Sequence, residues 1–330
     1  MRVLTVTSEW ALPDLPEGGA FVAQQVNWIR RAGVEVDVEP FRSAMNPLNY
    51  VEVRRRVNGR LRTGRYDIVH AHFGQTGFAV LGVPVPTVVT FHGSDLLGIV
   101  GRWGRYTVRG RVLQRISRLV ARRADEVIVV ADVLARRLPK GVRYSIVPMT
   151  ADPEVFRPGP RDDARRQLNL PVDRKIVLFA GRPQVERKRY SLAKRAVDLL
   201  GSDNVDLMWV SGLPPSGVAT YMQASDALLV TSLHESGPVV VKEALACRLP
   251  VVSVDVGDVR EIAGDIPGCI VTDDSPEALS RALEHVLRTP TRLDGSERAP
   301  VLDQARLVSQ VVSIYERALG SKSSEARDRT

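Results

Sequence analysis

The run His234-Glu235-Ser236-Gly237-Pro238-Val239-Val240-Val241-Lys242-Glu243 places two carboxylates eight residues apart. A Gly-Pro loop follows the first, and a helical pattern carries the second. Carboxylates accept hydrogen bonds from vicinal hydroxyls. Unpaired N–H groups at a helix start suit an anionic or hydroxyl-rich ligand. The spacing alone is equally met by a surface glutamate and a helix-capping one. A second run, Phe179-Ala-Gly181-Arg182-Pro-Gln-Val-Glu186-Arg187-Lys188, ends an apolar strand in glycine and arginine, with Lys188 six residues beyond Arg182. Paired cations at a strand end are what a departing diphosphate needs. Gly18 and Gly19 open a helix after the first strand, where glycine lets a phosphate approach the backbone closely. His92 follows a further apolar strand in Thr90-Phe91-His92-Gly93-Ser94-Asp95 and belongs on a cleft rim.

His70 and His72 share one strand face, as metal ligands can. The sequence has no third ligand cluster and no Asp-x-Asp. The expectation is therefore no metal and no other cofactor.

These groups need rigid elements to hold them. Val- and Ile-rich runs at 3–7, 36–38, 68–71, 87–91, 127–130 and 144–147 alternate with helical patterns such as 21–32 and 111–124. Fully apolar strands alternating with helices predict a parallel sheet covered on both faces. After a proline-rich stretch at 153–160 the pattern restarts, with strands at 176–180, 205–210, 227–231, 251–254 and 269–271. The predicted organisation is an α/β domain over 1–155, a second over 156–319 and a disordered tail over 320–330.

The chain has 330 residues and a net charge of +8. Residues 1–150 carry 22 Lys/Arg against 12 Asp/Glu, while the remainder is slightly acidic. No run of about 18 apolar residues predicts a spanning helix, and the start reads as a buried strand, so a cytoplasmic protein is expected. Cys247 and Cys269 are too few for a disulfide framework. Leu96–Ala124 has Arg102, Arg105, Arg109, Arg111, Arg115, Arg118, Arg122 and Arg123, with Trp103 and Tyr106 and no acidic residue. Such a segment can lie peripherally on anionic lipid, or be a solvated face in a chain with 40 Arg against 6 Lys. No nucleic-acid-binding motif is present, and no nucleic-acid partner is expected.

The stretch 224–262, with Glu-x7-Glu, Pro250-Val-Val and a glycine turn before Asp258, resembles the donor-binding core of retaining family 4 glycosyltransferases. The Gly181-Arg182 and Thr90–Asp95 runs resemble other motifs of that family. The resemblance implies a GT-B fold, two Rossmann-like domains facing across a cleft. It implies transfer of a sugar from a nucleotide-diphosphate donor, UDP-sugar first, to an acceptor hydroxyl on a lipid-linked glycan or small molecule. Arg182 and Lys188 would clamp the diphosphate. The family's usual spacing of five falls on Arg187, so Arg187 is the alternative to Lys188. A glycine of the Gly18-Gly19 pair would touch the donor phosphates. Glu235 would hold sugar hydroxyls with Ser236, Gly237, Pro238 and Val239, and Glu243 the ribose. His92 would contact the transferred sugar or the acceptor.

Three departures stand out. Met149-Thr150 replaces an Asn-Gly, Ala131 replaces a serine, and the segment from Arg182 to Asp226 is short, predicting a reduced C-terminal sheet. Two rival readings remain: a sugar-nucleotide epimerase using Glu9 and Asp95 as proton carriers, and a non-catalytic nucleotide-sugar-binding protein.

Overall fold

The computed structural model describes residues 1–10, 19–43, 46–99, 106–288, 292–294 and 303–327. The chain divides into two units, Met1–Met149 with Gln304–Thr330, and Thr150–Asp303.

In the first unit, β1 (Arg2–Thr7), α1 (Ala20–Arg31), β2 (Glu35–Pro40), α2 (Pro47–Thr63), β3 (Ile68–His72), α3 (Gly74–Val80), β4 (Thr87–Phe91), α4 (Ser94–Leu97), α5 (Val108–Ala121), β5 (Glu126–Val129), α6 (Asp132–Ala135) and β6 (Ser145–Ile146) follow in turn. The strands form one parallel sheet in the order β2-β1-β3-β4-β5-β6. Every residue of β3, β4 and β5 is buried, because helices cover both faces. Val3, Ile68, Val88 and Ile128 point to one face, where they pack on α1 and the last helix. The neighbouring Val89 points the other way, towards α3 and Val120 of α5.

In the second unit, α7 (Arg161–Gln167), β7 (Lys175–Ala180), α8 (Tyr190–Asp198), β8 (Val205–Val210), α9 (Pro215–Ala224), β9 (Ala227–Val230), α10 (Val239–Ala246), β10 (Val251–Val254), α11 (Val259–Ala263), β11 (Ile270–Thr272) and α12 (Pro276–Arg288) build a parallel sheet ordered β11-β10-β9-β7-β8. This sheet has five strands against six in the first. That agrees with the short segment after Arg182, which contributes β8 as its single strand.

The expected domain limits need two corrections. The final helix, α13 (Gln304–Arg327), belongs to the first unit, not to the C-terminal domain. Leu307, Val311, Ile314, Tyr315 and Ala318 recur at helical spacing and are buried against β1, β3, β4 and α1. The helix also continues through Gly320 to Arg327, so the expected disordered tail is helical over most of its length.

Each sheet reverses its strand order once. In the first unit the reversal lies between β1 and β3, and in the second between β7 and β9. Loops leaving the carboxyl ends of such a strand pair diverge and leave a crevice, the usual ligand site of open α/β sheets.

Candidate active site

In the second unit, the loops after β7 and β9 are joined by their own hydrogen bonds. Thr231 Oγ1 donates to the Lys188 carbonyl at 2.8 Å. Arg189 Nε donates to the Thr231 carbonyl at 2.6 Å, and the Leu233 N–H to the Arg187 carbonyl at 2.8 Å. Arg187 Nη1 reaches the His234 carbonyl at 2.9 Å. Arg189 is left-handed (φ 54°) without being glycine. Such a conformation costs on the order of 1 kcal/mol and persists where its surroundings enforce it. Here the enforcing contacts are the Thr231 bonds.

This stapling brings three of the predicted residues together. Lys188 Nζ lies 2.8 Å from Glu235 Oε1, and Arg187 Nη1 lies 2.6 Å from the same oxygen. Lys188 and its alternative Arg187 therefore both reach the carboxylate. Burial alone would raise the Glu235 carboxyl, but Lys188 and Arg187 outweigh it and hold the group below the usual range. Glu243, in the second turn of α10, is pushed up to about 7 by burial, and Lys188 only partly opposes this. One lysine thus acts on both carboxylates. Arg182 is not part of this cluster: it is exposed, and its Nε donates to Ser211 Oγ at 3.2 Å, beyond the end of β8.

Ser236, Gly237, Pro238 and Val239 form the turn into α10, whose N-cap, Pro238, provides no side-chain cap. The turn rests on a buried ion pair, Lys242 Nζ to Asp258 Oδ2 at 3.0 Å. A Cβ at Gly237 would lie 2.8 Å from that carboxylate oxygen and 3.1 Å from the ammonium, so only glycine brings the backbone this low. Gly257 closes on the turn from the other side. It is left-handed (φ 62°), and a Cβ there would meet the Ser236 carbonyl at 2.6 Å. Sequence reasoning missed Thr231, Arg189 and the Lys242–Asp258 pair. The one available signal was a lysine beside Glu243 in a helical stretch, Val239–Ala246, whose other residues are all apolar.

In the first unit, β3 and β4 bring three histidines together. His72 Nδ1 and His92 Nε2 are 2.9 Å apart with the rings stacked. His70 and His72 have ring centroids 4.4 Å apart. Phe73 and Phe21 lie against His92 with centroids at 4.5 Å and 5.2 Å. His70 bonds Tyr315 of α13 at 2.7 Å and Thr90 Oγ1 at 2.8 Å. Burial pushes His70 and His92 down to about 3 and lowers His72 further than the ordinary range. All three are neutral near pH 7. Among the described residues no group of three His, Cys, Asp or Glu side chains is arranged to hold a metal ion.

Asp95 is fully buried and accepts from the N–H groups of His92, Gly93, Leu96 and Gly74 at 2.8 to 3.3 Å. It fixes the backbone that carries His92. Gly19, buried and left-handed (φ 65°), begins α1, and a Cβ there would sit 2.0 Å from the Glu9 carbonyl. Gly18 lies outside the described residues, as do Arg102, Trp103 and Arg105. Cys247 and Cys269 are buried, and burial pushes their thiols up to about 12 and about 11, which makes them unreactive.

The sequence matches two family descriptions, "Glycosyltransferase Family 4" over residues 2–155 and "Glycosyl transferases group 1" over residues 202–300. Among curated relatives, the teichuronic acid biosynthesis glycosyltransferase TuaC of Bacillus subtilis is 24% identical over 86% of this chain and 88% of its own. The D-inositol 3-phosphate glycosyltransferase of Mycobacterium tuberculosis is 28% identical over 81% of this chain, which spans 65% of that relative's length. Among solved structures, sucrose-phosphate synthase of Thermosynechococcus elongatus superposes with a TM-score of 0.72 at 18% identity, covering 99% of each chain. Anabaena HepE in complex with UDP and glucose superposes with a TM-score of 0.67 at 16% identity, covering 98% of this chain and 100% of that one. With these motifs, the paired parallel sheets and both family matches in agreement, the chain belongs to the family 4 glycosyltransferases and has their GT-B fold.

Proposed function

We propose that this glycosyltransferase moves a hexose from a UDP-sugar to an acceptor hydroxyl with retention at the anomeric carbon and without a metal ion. The observation that carries the reading is the convergence of Lys188, Arg187, Glu235 and Glu243 at the β7/β9 reversal, with the uncapped start of α10 beside them. UDP is supported as the base-bearing half because HepE, with the same fold, was solved with UDP and with UDP-glucose.

In this scheme the bond from the anomeric carbon to the diphosphate breaks, and the acceptor oxygen bonds on the same face. The acceptor proton passes to the departing phosphate oxygen, so no protein carboxylate acts as nucleophile. Negative charge grows on the diphosphate. Lys188 and Arg187 meet it, Arg182 exchanges Ser211 for a phosphate oxygen, and the glycine amides of 18 and 19 add donors. Fixed donors of this kind are worth several kcal/mol as a set. Glu235 and the amides of Gly237 to Val239, with Ser236 and Pro238 shaping the turn, hold sugar hydroxyls. Glu243 holds the ribose. His92, neutral at working pH, serves the transferred sugar or the acceptor as a hydrogen-bonding group and not as an acid.

The test is transfer from a panel of nucleotide sugars, with the anomeric configuration of the product read by NMR. UDP, and not GDP, ADP or TDP, should raise the melting temperature. Glu235→Ala should lower turnover about 100-fold, the scale of losing one such group. Undiminished turnover in that variant, or an inverted product, would overturn the mechanism.

A further inference from the structure

Glycosyl transfer leaves one large surface feature unused. On α5, Val108, Val112 and Leu119 are exposed, Val108 by 80%. At about 100° per residue these three fall within a sector of about 40°. Arg111, Arg115, Arg118 and Arg122 flank that sector on one side, and Arg109 and Arg123 on the other. All six arginines are exposed, and among the described residues none forms an ion pair. Neither α5 nor α3 contains an acidic residue. Asp125, the first acid beyond the stretch, is bonded to the N–H and hydroxyl of Thr87.

The feature extends past one helix. α3 packs on both α5 and α2, and its Phe78 is 48% exposed. At the start of α2, Leu48 and Val51 are exposed as well. Arg109 acts electrostatically on Tyr50, so the beginnings of α5 and α2 are neighbours. Six large apolar side chains are therefore exposed on these three helices, and the only acid the helices carry, Glu52 of α2, is paired with Arg56 at 2.6 Å.

A merely solvated face does not need exposed Val, Leu and Phe aligned along its centre. A nucleic-acid surface would use the arginines but leave the aliphatic strip in water. An apolar strip bordered on both sides by cations matches a bilayer interface, where aliphatic side chains enter the acyl boundary and guanidinium groups meet phosphate. We propose that the outer face of α5, with Phe78 and the start of α2, is a docking surface for a membrane carrying anionic phospholipid. The arginines supply long-range attraction and the aliphatic strip supplies insertion, so both are required. Among the described residues no helix is long and apolar enough to cross a membrane, which makes the contact peripheral.

The experiment is co-sedimentation of the full chain with vesicles of phosphatidylcholine alone or of equal parts phosphatidylcholine and phosphatidylglycerol. Binding to the anionic vesicles only, weakening as salt rises, is expected. At about fivefold per cation, Arg111→Gln/Arg115→Gln/Arg122→Gln should lower partitioning about 100-fold. Val108→Ser/Val112→Ser/Leu119→Ser removes seven aliphatic carbons and, with about half of them inserted at about 0.8 kcal/mol each, should lower it about 100-fold with all charges kept. These positions are exposed, so both variants should retain the parent melting temperature and UDP-induced shift, which separates this proposal from the donor-site reading. Equal sedimentation with both vesicle types would overturn the proposal, as would no sedimentation with either. Unchanged binding by the serine variant would reduce the surface to simple charge attraction. A parent chain that dimerises in sedimentation velocity, and a serine variant that does not, would assign the strip to a second copy instead. Tighter binding to a DNA duplex than to anionic vesicles would assign it to nucleic acid.

Discussion

Replacing Glu243 by glutamine should make the second unit less sensitive to alkaline pH. In the folded protein the carboxyl is raised from 4.5 to about 7 by burial. A raised group contributes stability that is fully present below its unfolded value and lost as pH rises through its folded value. At about 1.36 kcal/mol per pKa unit, the loss totals about 3 kcal/mol, of which about 2.5 kcal/mol falls between pH 5 and pH 8. Glutamine keeps the shape and cannot ionise, so Glu243→Gln should gain on the parent by that amount across the window. The assay is urea unfolding at several pH values, taken as the parent-minus-variant difference so that other groups cancel. Because a chain of two units need not unfold in one step, Trp209 on β8 should be the reporter, with the other three of the four tryptophans replaced by Phe. Carboxyl NMR of Glu243 gives an independent midpoint. A difference that stays flat from pH 5 to pH 8, with a titration near 4.5, would show that Lys188 neutralises Glu243 and that burial does not govern it.

Two further outcomes concern the support beneath the site. Gly257→Ala should cost about 1–3 kcal/mol and weaken UDP binding, because its Cβ would press on the Ser236 carbonyl. Chemical denaturation and calorimetry check it, and unaltered binding would show that the turn tolerates the shift. Lys242→Met should cost about 3–5 kcal/mol by leaving Asp258 buried without its cation, while Lys242→Met combined with Asp258→Leu should recover much of the loss. If the two single losses simply add in a double-mutant cycle, the pair is not coupled.

Much of the fold was legible because its strands are short, fully apolar runs separated by helical patterns, and burial on both faces imposes that pattern directly. The strands at 87–91, 205–210 and 251–254 were placed to the residue. The domain assignment of the last helix was not legible. Leu307, Val311, Ile314 and Ala318 specify an amphipathic helix but carry no mark of which sheet they cover, and the chain returns to the first unit only in three dimensions.

Of the candidate site, the residue types were fixed by local chemistry: carboxylates near a helix start, cations after a strand and glycines at turns. Their pairing was not. Whether Lys188 or Arg187 meets Glu235 depends on side-chain reach across two loops joined by Thr231 and Arg189, residues 42 apart in sequence, and both turn out to meet it. The same holds for Arg182, whose spacing looked equivalent but whose side chain leaves towards Ser211. Likewise, the sequence supplied two histidines on β3 and a third just after β4, and only the tertiary structure, with β3 in register against β4, stacked His72 on His92 and turned Tyr315 onto His70. Hydropathy period is a local property and survives in one dimension. Hydrogen-bond partners, burial and the resulting proton affinities arise from residues that are distant in sequence, so they exist only once the chain is folded.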